Sequence, residues 1–283
     1  MMKNLITAIN MTTKTRIPRL IIYLSALILA ASCTVKESRI GCPCILNLDY
    51  AAIRSDQRIQ GRPDSLLVTV QGLYNAIVRT KDYPEYHCVS VPRQTVNLNC
   101  YFGMSESRLQ SGRSRLIIPV GEDSDPLFSY HKTLHLNEYS EEEYITPVLC
   151  NECTKVILSF DQDYWDTSSF DYSMHVSGSS CGLDLVSGYP IEGEFSYDMD
   201  IYDSHSYSFD MPRQKNRDIR IDAIEKGSVQ FTISLAEELD RAGYQWSAES
   251  LPPLVVVNVN AQNLVVDIRI IDWDEAIYFN YYL

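Results

Sequence analysis

Cysteine is the residue type whose position in this sequence carries the most chemical information. Eight cysteines occur, and the first one, Cys33, ends the run Leu29-Ala-Ala-Ser-Cys33. Small residues and a cysteine at the end of an apolar leader look like a bacterial lipobox, in which the cysteine receives diacylglyceryl and N-acyl groups such as palmitate. The pattern therefore predicts that Cys33 becomes the first residue of a lipid-anchored mature chain.

The segment before Cys33 has the composition of a secretory leader. It contains four basic residues, no acidic residue and an apolar run from Leu20 to Ala31. A basic start and an apolar run of about a dozen residues are typical of a signal peptide, whereas a spanning helix needs roughly 20 apolar residues. We predict that residues 1–32 are removed. The alternatives are an uncleaved signal anchor and an unmodified cysteine beside an ordinary cleavage site.

The charge of the chain excludes one large class of partners. The net charge is −13, and removal of the basic leader makes the mature chain more acidic still. Such a chain repels phosphate backbones and anionic membrane surfaces, so we expect no nucleic-acid partner. No second long apolar run follows Cys33, and its lipid is the predicted membrane attachment.

Seven further cysteines offer thiol chemistry, at positions 42, 44, 88, 100, 150, 153 and 181. Export permits disulfides, but an odd number leaves at least one thiol unpaired, and the connectivity does not follow from the sequence. Cys42-Pro-Cys44 and Cys150-Asn-Glu-Cys153 together offer four thiolates to zinc, although the first pair is one residue short of the usual spacing. Burial as small apolar side chains is the interpretation we favour.

No arrangement of residues for catalysis is recognisable. The five histidines form no His-Glu-x-x-His pattern, and the sequence lacks a Gly-x-Ser-x-Gly turn and the glycine patterns that bind nucleotides. The abundant acidic residues leave a carboxylate pair for glycoside hydrolysis open, but solvated strand faces account for them equally well. We predict no catalytic, cofactor-binding or metal-binding residues.

The elements that position these residues are predicted to be β-strands. Apolar and polar residues alternate from Ile45 onward, most clearly in residues 95–102, 228–235 and 264–270. Period-two alternation of β-branched and aromatic residues is typical of half-buried strands, and many short strands favour antiparallel β-sandwiches. Further strands are predicted at residues 65–70, 115–120, 154–160, 172–176, 194–201, 218–224 and 254–259. Only residues 234–243 are predicted to be helical.

A faint internal repeat indicates two domains. Val91-Pro-Arg-Gln94 and Met211-Pro-Arg-Gln214 lie 120 residues apart, which is about the length of one domain. The first motif follows Val68-Thr-Val-Gln-Gly72, and the second follows His175-Val-Ser-Gly178. Coincidence is the alternative explanation for this matching order. The predicted division is a signal peptide at 1–32, a lipidated tether at 33–44, an N-terminal β-sandwich at 45–150 and a C-terminal β-sandwich at 151–283.

Aromatic residues raise two more hypotheses. Tyr164 and Trp165 are candidates for stacking on sugar rings, although such side chains more often pack in sandwich cores. The C-terminal segment 277–283 is too apolar to lie free in water. We expect it either to complete its own sheet or to be donated as a strand to a neighbouring subunit. The candidate donor residues are Ile277, Tyr278, Phe279, Tyr281 and Leu283.

These motifs resemble one known group, the FimB/Mfa2-type fimbrial lipoproteins of Bacteroidota. The similarity begins at Cys33 and at residues 41–49, where a Cys-Pro-Cys step leads into the first strand. It continues through Val91-Pro-Arg-Gln94 and through residues 176–178, 182–185 and 190–195, and it ends in residues 266–273. The motifs are short and degenerate, but together they extend over nearly all of the mature chain.

The resemblance implies an all-β, non-enzymatic protein with two tandem transthyretin-like antiparallel β-sandwich domains. It implies an outer-membrane lipoprotein that anchors a fimbrium and acts in pilus assembly and cell adhesion. Its partners would be pilin subunits, which polymerise by β-strand exchange after an arginine-specific protease removes their first strand. An anchor would keep its own first strand, near residues 45–50. Cutting at any of four arginines would detach it from its lipid: Arg39, Arg54, Arg58 and Arg62.

Two other functions are consistent with the sequence. A surface glycan-binding lipoprotein would use exposed tyrosines and tryptophans such as Trp165. An envelope hydrolase would need converging polar side chains in a deep pocket, and no catalytic set is visible in the sequence.

Overall fold

Alternating sequences form strands throughout the part of the chain that the computed structural model describes, which is residues 41–62, 64–160, 172–203, 205–260 and 265–278. The strands are β1 (Pro43–Leu48), β2 (Leu66–Val70), β3 (Tyr74–Val78), β4 (His87–Pro92), β5 (Thr95–Phe102), β6 (Leu109–Gln110), β7 (Arg115–Ile117), β8 (Phe128–His135), β9 (Glu142–Ile145), β10 (Cys150–Asn151), β11 (Cys153–Phe160), β12 (Ser173–Asp184), β13 (Pro190–Asp198), β14 (Asp200–Asp203), β15 (Ser206–Pro212), β16 (Arg220–Glu225), β17 (Ser228–Ile233), β18 (Leu254–Val259) and β19 (Val265–Ile271).

Helical structure is minor among these residues. The α-helices are α1 (Ala51–Ser55), α2 (Leu235–Arg241) and α3 (Trp273–Tyr278), and single 3₁₀ turns lie at Gln57–Ile59, Thr80–Asp82 and Glu106–Arg108. Within the described ranges, no helix combines the length and the apolar character needed to cross a membrane. The predicted predominance of β-structure is confirmed.

Every strand predicted from alternation is present; residues 95–102 and 254–259 have the predicted ends, and the other strands have shifted ends. The strand predicted at 228–235 stops at Ile233, because Ser234 precedes α2 and Leu235 packs in the core as the first helical residue. The segment predicted at 194–201 divides into β13 and β14. Strand β15 was not predicted, since Ser206 and Ser208 are buried beside its apolar residues and the alternation is lost.

Strands β1–β5 and β8–β10, which lie between Pro43 and Asn151, form two sheets that we call the N-terminal sheet pair. One sheet has the order β4-β1-β9 and the other has the order β10-β8-β5-β2-β3. A single apolar cluster contains buried residues from both sheets, including Leu46 of β1, Val89 of β4, Val68 of β2 and Leu98 of β5. Burial of this shared core is the main force that stabilises the pair.

The remaining strands, β11–β19 together with β6 and β7, form the C-terminal sheet pair. Its sheets have the orders β14-β15-β11-β18-β19 and β17-β16-β12-β7-β6, with β13 also paired to β12. A second apolar cluster again draws on both sheets, for example through Val156 of β11, Phe209 of β15, Val176 of β12 and Ile221 of β16.

The two pairs share one strand topology. In the N-terminal pair, β1 is antiparallel to β4 and parallel to β9. In the C-terminal pair, β11 is antiparallel to β15 and parallel to β18. The facing order β8-β5-β2-β3 recurs as β17-β16-β12-β13. Both Pro-Arg-Gln motifs follow equivalent strands, since β4 ends at Pro92 and β15 ends at Pro212.

A crossing segment joins the two pairs. Strand β7 follows β5 in the chain but pairs with β12, so that Leu116 lies opposite Leu183. Gly182 permits this approach, because a Cβ at that position would lie 2.0 Å from the carbonyl oxygen of Leu116. A third apolar cluster at the junction includes Leu67 and Tyr101, and the Tyr101 hydroxyl donates to the Leu185 carbonyl at 2.8 Å.

Candidate assembly site

Strand β1 is enclosed on both sides by its own chain. Its residues pair with β4 from Pro43 to Leu48 and with β9 from Ile45 to Leu48. The inward side chains of Cys44, Leu46 and Leu48 are fully buried. Loss of this strand would open an apolar groove lined by unpaired backbone groups, which is the kind of acceptor used in strand exchange.

A buried hydrogen-bond network fixes the chain just after β1. The Tyr50 hydroxyl lies 2.7 Å from Nδ1 of His87, and the Tyr74 hydroxyl lies 2.9 Å from Nε2. Tyr83 stacks against the imidazole with ring centroids 4.3 Å apart. Burial lowers the pKa of His87 and raises the pKa of Tyr50. The ring is therefore neutral at pH 7, with one nitrogen donating and the other accepting.

The arginines between β1 and β2 are held by the fold. Arg54 donates to the carbonyl oxygens of Thr80 and Tyr83 at 3.2 and 2.9 Å. Arg62 donates to the Pro126 carbonyl at 3.2 Å. Because these guanidinium groups are bound, the segment that would have to be cut to release β1 is not a free loop.

Arg58 has the most complete set of contacts among these arginines. Its guanidinium is 2.5 Å from the Asp56 carboxylate, and it donates to the Leu149 carbonyl at 2.7 Å. It also stacks 5.7 Å from the Phe128 ring centroid and 5.4 Å from that of Trp273. Such stacking stabilises a partly buried guanidinium by about 0.5–2 kcal/mol.

Helix α3 brings Trp273 to this segment. Asp272 caps the helix by accepting from the Glu275 amide at 2.9 Å, and Ala276 is fully buried beside Ile271. Trp273 packs against the core of the N-terminal sheet pair, with its ring 5.9 Å from Phe128. The start of α3 therefore lies next to the β1–β2 connection.

Several predicted site residues lie outside the described part of the chain. They are Cys33, Arg39, Tyr164, Trp165, Phe279, Tyr281 and Leu283. The other two candidate donor residues, Ile277 and Tyr278, form the last positions of α3 and have helical backbone in this structure. Lipidation at Cys33 and strand donation by the C-terminal segment stay predictions.

The seven described cysteines are all unpaired in the structure. Cys44 and Cys153 are buried, whereas Cys42 and Cys88 are exposed. In the described ranges, no three or more His, Cys, Asp or Glu side chains are placed to hold a metal ion. Burial raises the pKa of Cys100 to about 12, so that thiol is protonated in the core of the N-terminal sheet pair.

Sequence reasoning missed the two side chains that hold this site together. His87 belongs to a strand that the alternation did not predict, and isolated histidines give no pattern to detect. Trp273 lies in the motif that carried the family resemblance, but its packing against Arg58 joins residues more than 200 positions apart. Only the fold brings them together.

The likeness of this chain to known proteins lies in its fold. No family model matches the chain, and no curated protein matches its sequence. Solved structures do match over most of its length. A candidate polysaccharide-binding protein of Bacteroides thetaiotaomicron aligns with a TM-score of 0.57 and 14% identity, over 83% of this chain and 99% of its own.

A fimbrial protein is among the similar structures. The fimbrial anchor protein Mfa2 of Porphyromonas gingivalis aligns with a TM-score of 0.53 and 10% identity, over 82% of this chain and 98% of its own. The chain shares the fold of the Mfa2 anchor. A candidate cell adhesion protein of Bacteroides uniformis has the same fold, with a TM-score of 0.51, 9% identity and coverage of 82% and 99%. The resemblance predicted from sequence is confirmed as a likeness of fold.

Replacing His87 tests the network behind β1. Because burial lowers its pKa, the unfolded chain takes up a proton near the ordinary value of 6.5 before the folded chain does. The stability that neutral His87 contributes is complete above that pH and is lost as the pH falls below it. Urea unfolding should show a larger stability difference between the wild type and His87→Gln at pH 8 than at pH 5.5. An equal or reversed difference would contradict this role.

Replacing Trp273 tests the contact between α3 and Arg58. Trp273→Ala removes the stacking and should lower the free energy of local opening by about 1–2 kcal/mol. Trypsin should then cut after Arg58 about 5- to 30-fold faster under native conditions. Ile270→Ala, which alters a more exposed residue on β19, is the matched control and should leave the rate unchanged. Equal rates for both variants would show that Trp273 does not protect Arg58.

Proposed function

We propose that this chain is a lipid-anchored, outer-membrane subunit of a fimbrium, acting as its anchor or as an accessory subunit without enzymatic activity. The enclosed position of β1 is the observation that carries the proposal. A subunit whose first strand fills its own sheet has no open groove for another subunit at that place, which suits the end of a polymer. The likeness to Mfa2 and to cell adhesion proteins supports the same class of function.

The proposed architecture is two tandem transthyretin-like β-sandwiches. The shared strand topology of the two sheet pairs supports it, and so does the separate apolar cluster inside each pair. In this arrangement the N-terminal sandwich carries the retained first strand and lies next to the lipid.

The proposed tether between the lipid and the fold is short. Strand β1 begins at Pro43, so residues 34–42 separate Cys33 from the fold. Nine extended residues span at most about 30 Å. The N-terminal sandwich would therefore be held within this distance of the membrane, while the rest of the molecule remains available to fimbrial subunits.

Strand donation by residues 279–283 is the proposed contact with the next subunit. These residues follow α3, whose position is fixed by Trp273 and by buried Ala276. Tyrosine, phenylalanine and leucine suit the alternate side-chain pockets of a β-strand acceptor, and the added strand gains main-chain hydrogen bonds. Donation that includes Ile277 and Tyr278 would require the end of α3 to unwind.

Replacing Cys33 tests the anchor. Cys33→Ser should abolish incorporation of labelled palmitate and move the protein from the membrane fraction to the soluble fraction, since each buried CH₂ of the lipid contributes about 0.8 kcal/mol to anchoring. Cys42→Ser, at the exposed cysteine just before β1, is the control and should stay lipidated. Persistent labelling of Cys33→Ser would rule out this attachment site.

Deletion of the last five residues tests strand donation. A chain ending at Tyr278 keeps the whole of α3 and should retain the unfolding transition of the wild type. It should no longer form SDS-resistant complexes with purified pilin subunits from the same cells. The matched control replaces Val266, which is exposed on β19, with alanine. Undiminished complex formation by the shortened chain would disprove donation by this segment.

A further inference from the structure

A cleft of about 350 Å³ opens where the two sheet pairs meet. One wall is the turn between β2 and β3, at residues 71–73, and the opposite wall is the turn between β6 and β7, which includes Arg113. Leu185 and Val186, which follow β12, complete the lining. Ligand sites in proteins are commonly about 300–1,000 Å³, so this cleft has room for one small unit of a larger molecule.

Hydrogen bonds between the walls fix the shape of the cleft. The Asn75 side chain donates to the Gly112 carbonyl at 3.0 Å and thereby ties the start of β3 to the turn between β6 and β7. The Asn99 side chain donates to the Leu185 carbonyl at 3.2 Å and closes the base. The cleft is formed before any ligand binds, so that binding requires little ordering of the protein.

Arg113 gives the cleft its charge. Its backbone has a φ of 67°, a left-handed conformation in which glycine is favoured, and the neighbouring Gly112 has a φ of 66°. The side chain is exposed and has no ion pair or hydrogen bond within the described ranges. A free guanidinium in a chain of net charge −13 is a local cation suited to a single negative group.

The remaining lining combines apolar and amide groups. Leu73 and Val186 are 44% and 38% exposed, and they offer an apolar surface at the rim. The side-chain oxygen of Gln71 accepts from Asn97, and the side-chain nitrogen of Asn75 donates to Gly112. The amide nitrogen of Gln71 and the side-chain oxygen of Asn75 make no hydrogen bond to the described residues. The cleft therefore offers one amide donor and one amide acceptor beside a cation.

We propose that this cleft binds a uronic-acid unit of a polysaccharide. A sugar ring presents an apolar C–H face that suits Leu73 and Val186, and its hydroxyl groups both donate and accept, which suits Gln71 and Asn75. The carboxylate pairs with Arg113 through two parallel N–H···O hydrogen bonds. The shallow, open shape leaves the rest of the polysaccharide in solvent. This activity is separate from fimbrial assembly and does not depend on it.

The test uses isothermal titration calorimetry with the purified mature chain and two otherwise neutral oligosaccharides of equal length, which carry one galacturonic-acid unit as the free acid or as its methyl ester. The acidic form should bind about tenfold more tightly than the ester, because the ester lacks the charge-assisted bonds. Arg113→Gln should remove that difference, and Arg113→Gly, which suits the left-handed backbone, should remove it equally. Arg217→Gln, at an exposed arginine that does not line the cleft, is the matched control.

Three outcomes would overturn the proposal. They are equal affinity for the two oligosaccharides, absence of measurable binding to either, and a loss in Arg217→Gln as large as that in Arg113→Gln. The Arg113 substitutions leave the C-terminal segment and Cys33 intact. The Arg113 variants should therefore form the same complexes with pilin subunits as the wild type. A failed glycan test is therefore distinguishable from a failure of the fimbrial proposal.

Discussion

The structure depends on one backbone constraint, the pairing of β1 with strands on both of its sides. Every inward side chain of this strand enters the core of the N-terminal sheet pair, and its backbone groups are satisfied by β4 and β9. Removal of an edge strand breaks one set of backbone hydrogen bonds. Removal of a central strand breaks two sets and also exposes an apolar groove. The contacts of Tyr50, Arg54 and Arg58 then hold the chain where it leaves this strand.

The same constraint recurs in the second half of the molecule. Strand β11 occupies the position of β1 and carries Val156 and Leu158 into its own core. Its beginning is held by a partly buried ion pair, in which Nε of Arg213 lies 2.5 Å from the Glu152 carboxylate. Arg213 comes from the second Pro-Arg-Gln motif, so that one repeated sequence element helps to fix the first strand of this sheet pair. The repeat thus links a faint sequence pattern to a definite structural role.

Much of the fold could be predicted from the sequence because half-buried strands leave a period-two pattern. Val96, Leu98 and Cys100 of β5 alternate with polar residues, since one face of this strand enters the core. The pairing of β7 with β12 could not be predicted, because nothing in residues 115–117 specifies a partner far along the chain. Helix α3 was likewise hidden, since its apolar residues suit a strand equally well and its position depends on the packing of Trp273 and Ala276.

The candidate site was predictable only in outline. The leader and Cys33 are local sequence patterns, so they can be recognised without knowledge of the fold. The network around His87 and the stacking of Arg58 on Trp273 depend on residues brought together from distant elements. The arginines between β1 and β2 illustrate the difference, because the sequence presents them as cleavage sites and the fold occupies their guanidinium groups.

Affinity purification of the membrane-extracted protein from its native cells, followed by mass spectrometry of the co-purifying proteins, tests the fimbrial role most directly. A subunit that assembles by strand exchange should bring pilin proteins with it in SDS-resistant ladders, because a donated strand is held by a full set of main-chain hydrogen bonds. Recovery of glycan-uptake porins and binding proteins without any pilin would contradict that role and would leave glycan binding as the function of the chain.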